Sequence, residues 1–359
     1  MKLSDREWSV FIIGDLFTVK RPPVRNKENY EAGEIPFVAS GSVNNGVMKC
    51  CKPHENEQPD NAGCITVSPV DGSAFYQPYV FLGRGGAGSS ILMLYGDSLN
   101  LYNGQFIARM ISNTCSCKYS YGHMGNKDSV KRERIMLPID NNDEPDYQFM
   151  EDYMKELMVA KRKQYQEYAE QRLAELGIDA KNTKVCGGGG YNLDLESRDY
   201  KPFRLSNLFA IDKGVYLPKW NISSGKNPFI TAKAGNNGIS DFIGNKTLFT
   251  AGKITVEKIK LSAYYQPQDF YCSHDVSVLD IGCVNQYIAQ FICTMIMRNS
   301  SKYSYGRQAQ MNVVKREVIM LPVDNNNEPD YKFMEEYGRK IMTKKYVQYL
   351  NFLKSSERM

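Results

Sequence analysis

Val130-Lys131-Arg132-Glu133-Arg134-Ile135-Met136-Leu137-Pro138-Ile139-Asp140-Asn141-Asn142 returns later in the chain as Val314-Lys315-Arg316-Glu317-Val318-Ile319-Met320-Leu321-Pro322-Val323-Asp324-Asn325-Asn326. The likeness continues through Glu144-Pro145-Asp146-Tyr147 and Phe149-Met150-Glu151, answered by Glu328-Pro329-Asp330-Tyr331 and Phe333-Met334-Glu335. About 19 of 27 positions are identical at an offset of about 184. A long period occurring twice points to tandem domains; a solenoid needs three or more short stacked repeats.

Working outward, the copies share a frame and differ in content. Lys118-Tyr119-Ser120-Tyr121-Gly122 answers Lys302-Tyr303-Ser304-Tyr305-Gly306, and Phe75-Tyr76-Gln77-Pro78 answers Tyr264-Tyr265-Gln266-Pro267. Near each start, Ile35-Pro36-Phe37-Val38 with Asn44-Asn45-Gly46-Val47 corresponds to Asn227-Pro228-Phe229-Ile230 with Asn236-Asn237-Gly238-Ile239. Short β-rich runs at Ile35–Val38, Cys64–Val67, Tyr79–Leu82 and Val276–Ile281 alternate with Gly, Pro and Asn turns, and Gln286–Arg298 is apolar and long enough for a helix. Each copy closes on a polar helix. In the first, Asp146, Glu151 and Asp152 precede Lys161, Arg162 and Lys163, the order that complements the helix dipole. The pattern predicts an α+β chain: two repeated mixed α/β domains at 1–146 and 193–330, helices at 147–176 and 331–359, and a Gly-rich linker at 177–192.

The two helices carry narrow apolar stripes at three-then-four spacing, Met150, Tyr153 and Leu157 in one, Met334, Tyr337 and Ile341 in the other. Such stripes need a partner. Packing of each helix on its own domain is one solution; antiparallel packing of the two helices on each other is the sharper one, and the linker would let the chain return for it.

Composition bounds the function. The chain has 359 residues, 42% hydrophobic and 24% charged, enough for two ordinary cores. No apolar run approaches the roughly 18 to 20 residues of a membrane span and no signal-peptide core follows Met1, so a cytoplasmic protein is expected. Nine cysteines without a C-x-x-C pair, and three histidines, give no zinc-ligand spacing and fit reduced thiols. The net charge of +5 is divided as about −2 over residues 1–146 and about +3 over 193–330.

No catalytic constellation is visible. Asn227-Pro228-Phe229 lacks the second proline of an amino-methyltransferase motif, and Pro145-Asp146 and Pro329-Asp330 open helices, where proline and an acid have structural reasons to stand. Gly83-Arg84-Gly85-Gly86-Ala87-Gly88 fits a dinucleotide fingerprint in form only, since no acidic residue stands about 20 residues on. A loop carrying Arg84 toward a nucleic acid is the more economical reading.

The ordered set of motifs over nearly the whole chain resembles the specificity subunits of Type I restriction-modification enzymes and related bifunctional systems. The resemblance implies two target recognition domains, each reading half of a split sequence in double-stranded DNA. The two helices would form an antiparallel coiled coil that spaces the readers and receives DNA adenine methyltransferase subunits; whether a restriction nuclease subunit joins stays open. No cofactor or metal is implied. About 25 helical residues span roughly 38 Å, close to the roughly 34 to 36 Å of a DNA turn. Candidate DNA contacts are Asn44, Asn45, Arg84, Lys118, Tyr119, Tyr121 and Lys131 in the first copy, and Asn236, Asn237, Lys302, Tyr303, Tyr305, Arg307 and Lys315 in the second. For one tyrosine of each pair, a place in the core is equally natural. Base discrimination is expected from residues that differ between copies, because identical readers would read identical half-sites. A subunit of a methylation-only or other DNA-guided defence complex, or a regulator binding DNA alone, are the alternatives.

Overall fold

The computed structural model describes residues 1–86, 90–178, 194–280, 282 and 285–356. The chain divides into a unit of Met1–Tyr165 and a unit that begins at Gln166. Most of the expected linker at 177–192, from residue 179 on, lies outside the described residues, as do residue 193 and residues 357–359.

In the first unit the order is β1 (Trp8–Ile12), α1 (Ile13–Leu16), β2 (Thr18–Lys20), β3 (Ala32–Val38), β4 (Val47–Cys51), β5 (Cys64–Val67), β6 (Ala74–Gln77), β7 (Leu82–Gly83), β8 (Leu92–Tyr95), α2 (Leu101–Cys115), α3 (Lys127–Arg132), β9 (Arg134–Pro138) and α4 (Tyr147–Glu175). The second runs β10 (Tyr200–Arg204), α5 (Leu205–Leu208), β11 (Ala210–Lys213), β12 (Ser224–Ile230), β13 (Ile239–Ile243), β14 (Lys253–Glu257), β15 (Ala263–Gln266), β16 (Tyr271–Cys272), β17 (Val276–Asp280), α6 (Gln286–Met297), α7 (Met311–Arg316), β18 (Val318–Pro322) and α8 (Tyr331–Ser356). Each unit has a four-stranded sheet, β2-β8-β5-β6 or β11-β17-β14-β15, and a three-stranded one, β4-β3-β7 or β13-β12-β16. A two-stranded ribbon, β1-β9 or β10-β18, completes it. The topologies are the same strand for strand.

The core of each unit lies where its apolar helix covers the four-stranded sheet. In the first, Phe106, Ile107 and Ile111 of α2 meet Ile65, Val67 and Leu94; in the second, Ile288, Ile292 and Ile296 of α6 meet Ile254, Val256 and Leu279. Asn100 and Asn285 cap these helices by accepting from the amides two and three residues on, worth about 1 kcal/mol each. Gly104 lets α2 lie close on β6, since a Cβ there would stand 2.3 Å from the Tyr76 ring. The strand expected at Tyr79–Leu82 is confined to Leu82–Gly83: Pro78 cannot extend a ladder, Tyr79 turns to solvent, and Phe81 alone bridges to Asp60.

The polar helices form as expected, but the first turns of their apolar stripes belong to their own domains. Met150 is buried in the first core and Tyr153 packs edge-on against Phe106. Met334 is buried in the second core and Tyr337 packs against Phe291 of α6. Leu157 and Ile341 stay partly exposed, at 37% and 38%. The local solution prevails at these turns because each helix starts directly on its domain's core. Helix-to-helix packing begins further along. Ala169 and Leu173, near the end of α4 and inside the second unit, are buried with Tyr346, Val347 and Leu350 of α8. Tyr168 meets the Tyr346 ring, while Arg172 hydrogen-bonds Tyr346 and also feels Tyr287, which lies against Gly338. The two helices therefore pack on each other over this stretch.

Candidate nucleic-acid interface

The motifs shared by the two copies are largely internal fastenings. Asn44, Asn45 and Gly46 have φ of 51°, 55° and 73°, and Asn236, Asn237 and Gly238 have 47°, 53° and 76°. Asn and Gly tolerate this left-handed region best, which explains the N-N-G run. The Asn45 side chain donates to Tyr76 O and to Gln77 Oε1, both at 3.2 Å, and Gln77 Nε2 returns a bond to Asn45 O at 3.1 Å. Asn237 repeats the clamp with Tyr265 O and Gln266. Asn44 and Asn236 donate to Val47 O and Ile239 O inside their own turns. All four residues expected at DNA thus have side-chain amides engaged within the protein, locking a turn onto a strand.

The Lys-Tyr-Ser-Tyr-Gly runs divide similarly. Tyr119 is buried and donates to Glu133 Oε1 at 2.9 Å, and Lys118 pairs with the same carboxylate. Tyr303 is buried and donates to Glu317, which Lys302 reaches at 2.6 Å. Burial, with the Glu317 hydrogen bond added, pushes the Tyr303 phenol up to about 12, so it stays a donor at neutral pH. The first tyrosine of each run is therefore a core residue whose hydroxyl is engaged within the protein. The second is the opposite: Tyr121 and Tyr305 are 85% and 81% exposed. Each stands at the tip of a tight turn closed by two backbone bonds, Ser120 with His123 and Ser304 with Arg307.

Arg307 is exposed beside Tyr305, and Lys131 and Lys315 lie half-buried in α3 and α7. The Arg84 amide donates to Val38 O and its carbonyl accepts from Ile91, so the base of the glycine loop is fixed, while residues 87–89 of that loop lie outside the described residues. The proline-acid pairs are helix starts: Asp146 Oδ1 accepts from the Phe149 amide and Asp330 Oδ1 from that of Phe333, each aspartate also pairing with an arginine, Arg6 or Arg198. Among the described residues no group of three or more His, Cys, Asp or Glu side chains could hold a metal ion.

Two features carry no mark in the repeat. In the first domain Arg25 is buried among Glu57, Asp60, Gly83 O and Gln58 O. In the second, Trp220 is 83% exposed. Neither falls in a motif that both copies share, so matching one copy to the other passes over them. An unmatched tryptophan in a turn was the available signal for the second.

The architecture is a duplicated α+β module. The model of the Type I restriction modification DNA specificity domain matches residues 5–167 and 197–348, and the chain belongs to that family. It is similar to the Type II restriction enzyme BgcI specificity subunit S.BcgI of Heyndrickxia coagulans, 25% identical over 347 residues that cover 94% of this chain and 95% of the relative. Among solved structures it resembles a Type I restriction-modification S subunit from M. genitalium, with 14% identity, 99% and 94% coverage of the two chains, and a TM-score of 0.42. The HsdS subunit from Thermoanaerobacter tengcongensis gives 12%, 95% and 90%, and 0.33. The chain is thus the specificity subunit of a restriction-modification system, the component that is not itself the enzyme, and DNA and a methyltransferase are its partners.

Proposed function

We propose that the chain reads a bipartite target in double-stranded DNA, one half by residues 1–146 and the other by 193–330, and that helices 147–176 and 331–359 space the readers. The observation that carries this is the inward direction of the repeated side chains: Asn45, Gln77, Tyr119 and Glu133 and their counterparts are engaged within the protein, so the outward surfaces can differ. Two readers in one frame but with different surfaces suit two different half-sites. The helices and the exposed Tyr121 and Tyr305 turns, repeated in both copies, suit partners that also come in two copies, and we assign these as DNA adenine methyltransferase subunits. The likeness to a specificity subunit of a restriction enzyme supports a nuclease activity in the same assembly. A cytoplasmic setting belongs to this proposal; among the described residues no helix is long and apolar enough to cross a membrane.

The test is a domain exchange. Replacing residues 1–146 with the equivalent domain of a relative, then sequencing the methylated sites made by the assembled complex, should change one half of the target and preserve the other. A change in both halves would defeat the assignment of one half to each domain.

A further inference from the structure

The three-stranded sheets of the two units end in rims built on one plan with opposite charge. In the first unit the turn Lys27–Asn29 leads into β3, and Lys52 N donates to Glu31 O at 3.0 Å. In the second the turn Lys219–Asn221 leads into β12, and Gly244 N donates to Ser223 O at 2.7 Å. Both strands then bulge, between Ala32 and Ile35 and between Ser224 and Asn227. These bonds align the rims residue by residue: Glu28 with Trp220, Glu31 with Ser223, Glu34 with Lys226, and His54 with Lys246. The first rim exposes Lys52, Glu28, Glu31, Glu34 and Glu55; the half-buried Lys27 already pairs with Glu28. The second exposes Lys219, Lys226 and Lys246 around Trp220, and no carboxylate lies in either of its segments, 218–227 or 243–249. The nearest acid along β13, Asp241, stands two residues beyond the rim.

The second rim is held in place. Leu217 and Ile222 pack inward on Phe229, Ile243 and Tyr271, which leaves Trp220 on the outside of the turn. Asn245 accepts from Ser223 N and Oγ at 3.1 and 3.3 Å and donates to Asn221 O at 2.9 Å, and Asn227 donates to Asn245 O at 2.8 Å. A fixed turn therefore presents an indole beside lysines that form no ion pair among the described residues. Exposed lysines near a flat aromatic ring suit the phosphate-sugar backbone: the ammonium groups release counterions from phosphates, and the ring packs on the sugar edge. The aligned glutamates would repel the same ligand.

We infer that Lys219, Lys226 and Lys246 around Trp220 hold the DNA backbone while the equivalent rim of the first domain does not, so the electrostatic grip on the duplex is lopsided toward the second domain. The inference rests on the proposed function. The experiment uses the full chain with its methyltransferase partner and a labelled duplex containing the methylated site, with affinity measured between about 50 and 200 mM salt. Replacing all three lysines with alanine should reduce the slope of log affinity against log salt by about 2 to 3, at about 0.9 for each phosphate no longer neutralised. The ranking of DNA sequences should persist, because backbone contacts position without specifying. Trp220→Ala should weaken binding several-fold at unchanged slope. Converting Glu28, Glu31 and Glu34 to alanine should leave the slope unchanged. Specific binding by the wild type with an unchanged slope in the lysine variant would overturn the inference and leave the proposed function standing; so would a defect confined to capture of the methyltransferase. Failure of the wild-type complex to bind DNA specifically would defeat the proposed function itself.

Discussion

Asn45 and Asn237 show how one residue type meets two demands, a left-handed backbone and a three-bond clamp. Asn45→Ala should lower the stability of the first domain by about 1 to 3 kcal/mol, through unmet bonds and backbone strain. Asn45→Gly should recover only the backbone part, and urea unfolding would separate the two. Arg25 occupies the place that Leu217 fills in the second domain, so an ion network stands where its counterpart uses apolar packing. Partial burial would raise the Glu57 carboxyl, but hydrogen bonds from Arg25, the His54 amide and Tyr30 outweigh it and hold the group below the usual range. The stabilisation is therefore full above the ordinary glutamate pKa of about 4.3 and fades as pH falls through the lower, folded value. Acid unfolding followed by the fluorescence of Trp8, in a Trp220→Phe background that removes the second of the chain's two tryptophans, should show this loss when Arg25 is kept. Arg25→Ala should cost about 3 kcal/mol at neutral pH by leaving the half-buried carboxylates of Glu57 and Asp60 unpaired; a neutral outcome would contradict the network's role.

At the scale of elements, α4 and α8 each serve two neighbours in succession. Their first turns complete a domain core through Met150 and Met334, and later residues form the helix-to-helix contact of Ala169 and Leu173 with Tyr346, Val347 and Leu350. Leu173→Ala should cost about 2 to 4 kcal/mol as a cavity in that contact. The loss should appear in the second unit while the near-ultraviolet signal of the first core persists; coincident loss of both would contradict the division. Four residues inserted after Arg162, where the helix is exposed, add roughly 6 Å of rise. If the helices act as a ruler, the assembled complex should then prefer a spacer about two base pairs longer, at about 3.4 Å per step. An unchanged preference in a folded, assembled variant would end the ruler idea.

For the whole molecule, duplication supplies two chassis of identical topology on which different surfaces have been set. The rims illustrate this, since the same bulge carries Glu34 in one and Lys226 in the other. The purified chain alone should neither methylate nor cleave its target, and methyl transfer should appear when a methyltransferase partner is added. Methylation by the chain free of partner, checked by isotope incorporation, would contradict its membership in the non-catalytic class.

The tandem plan is legible in the sequence alone, because duplication leaves identical residues in the same order wherever the fold depends on them, at an offset of 184 for Glu133 with Glu317 and Asp146 with Asp330 and of 192 for Asn45 with Asn237. It also marked the helices, whose period and charge order are local properties. It did not show which of those identities point inward. Tyr119 and Tyr121 sit two residues apart in one run, yet burial against Glu133 takes the first and a tight turn exposes the second, and that choice depends on where α3 and β9 bring the carboxylate. The same holds for the rims, whose charges come together only when two strands and a turn meet, and for the helix stripes, whose partner changes from domain to helix with distance along the axis. Contacts between residues distant in the chain decided these points, and no local pattern encodes them.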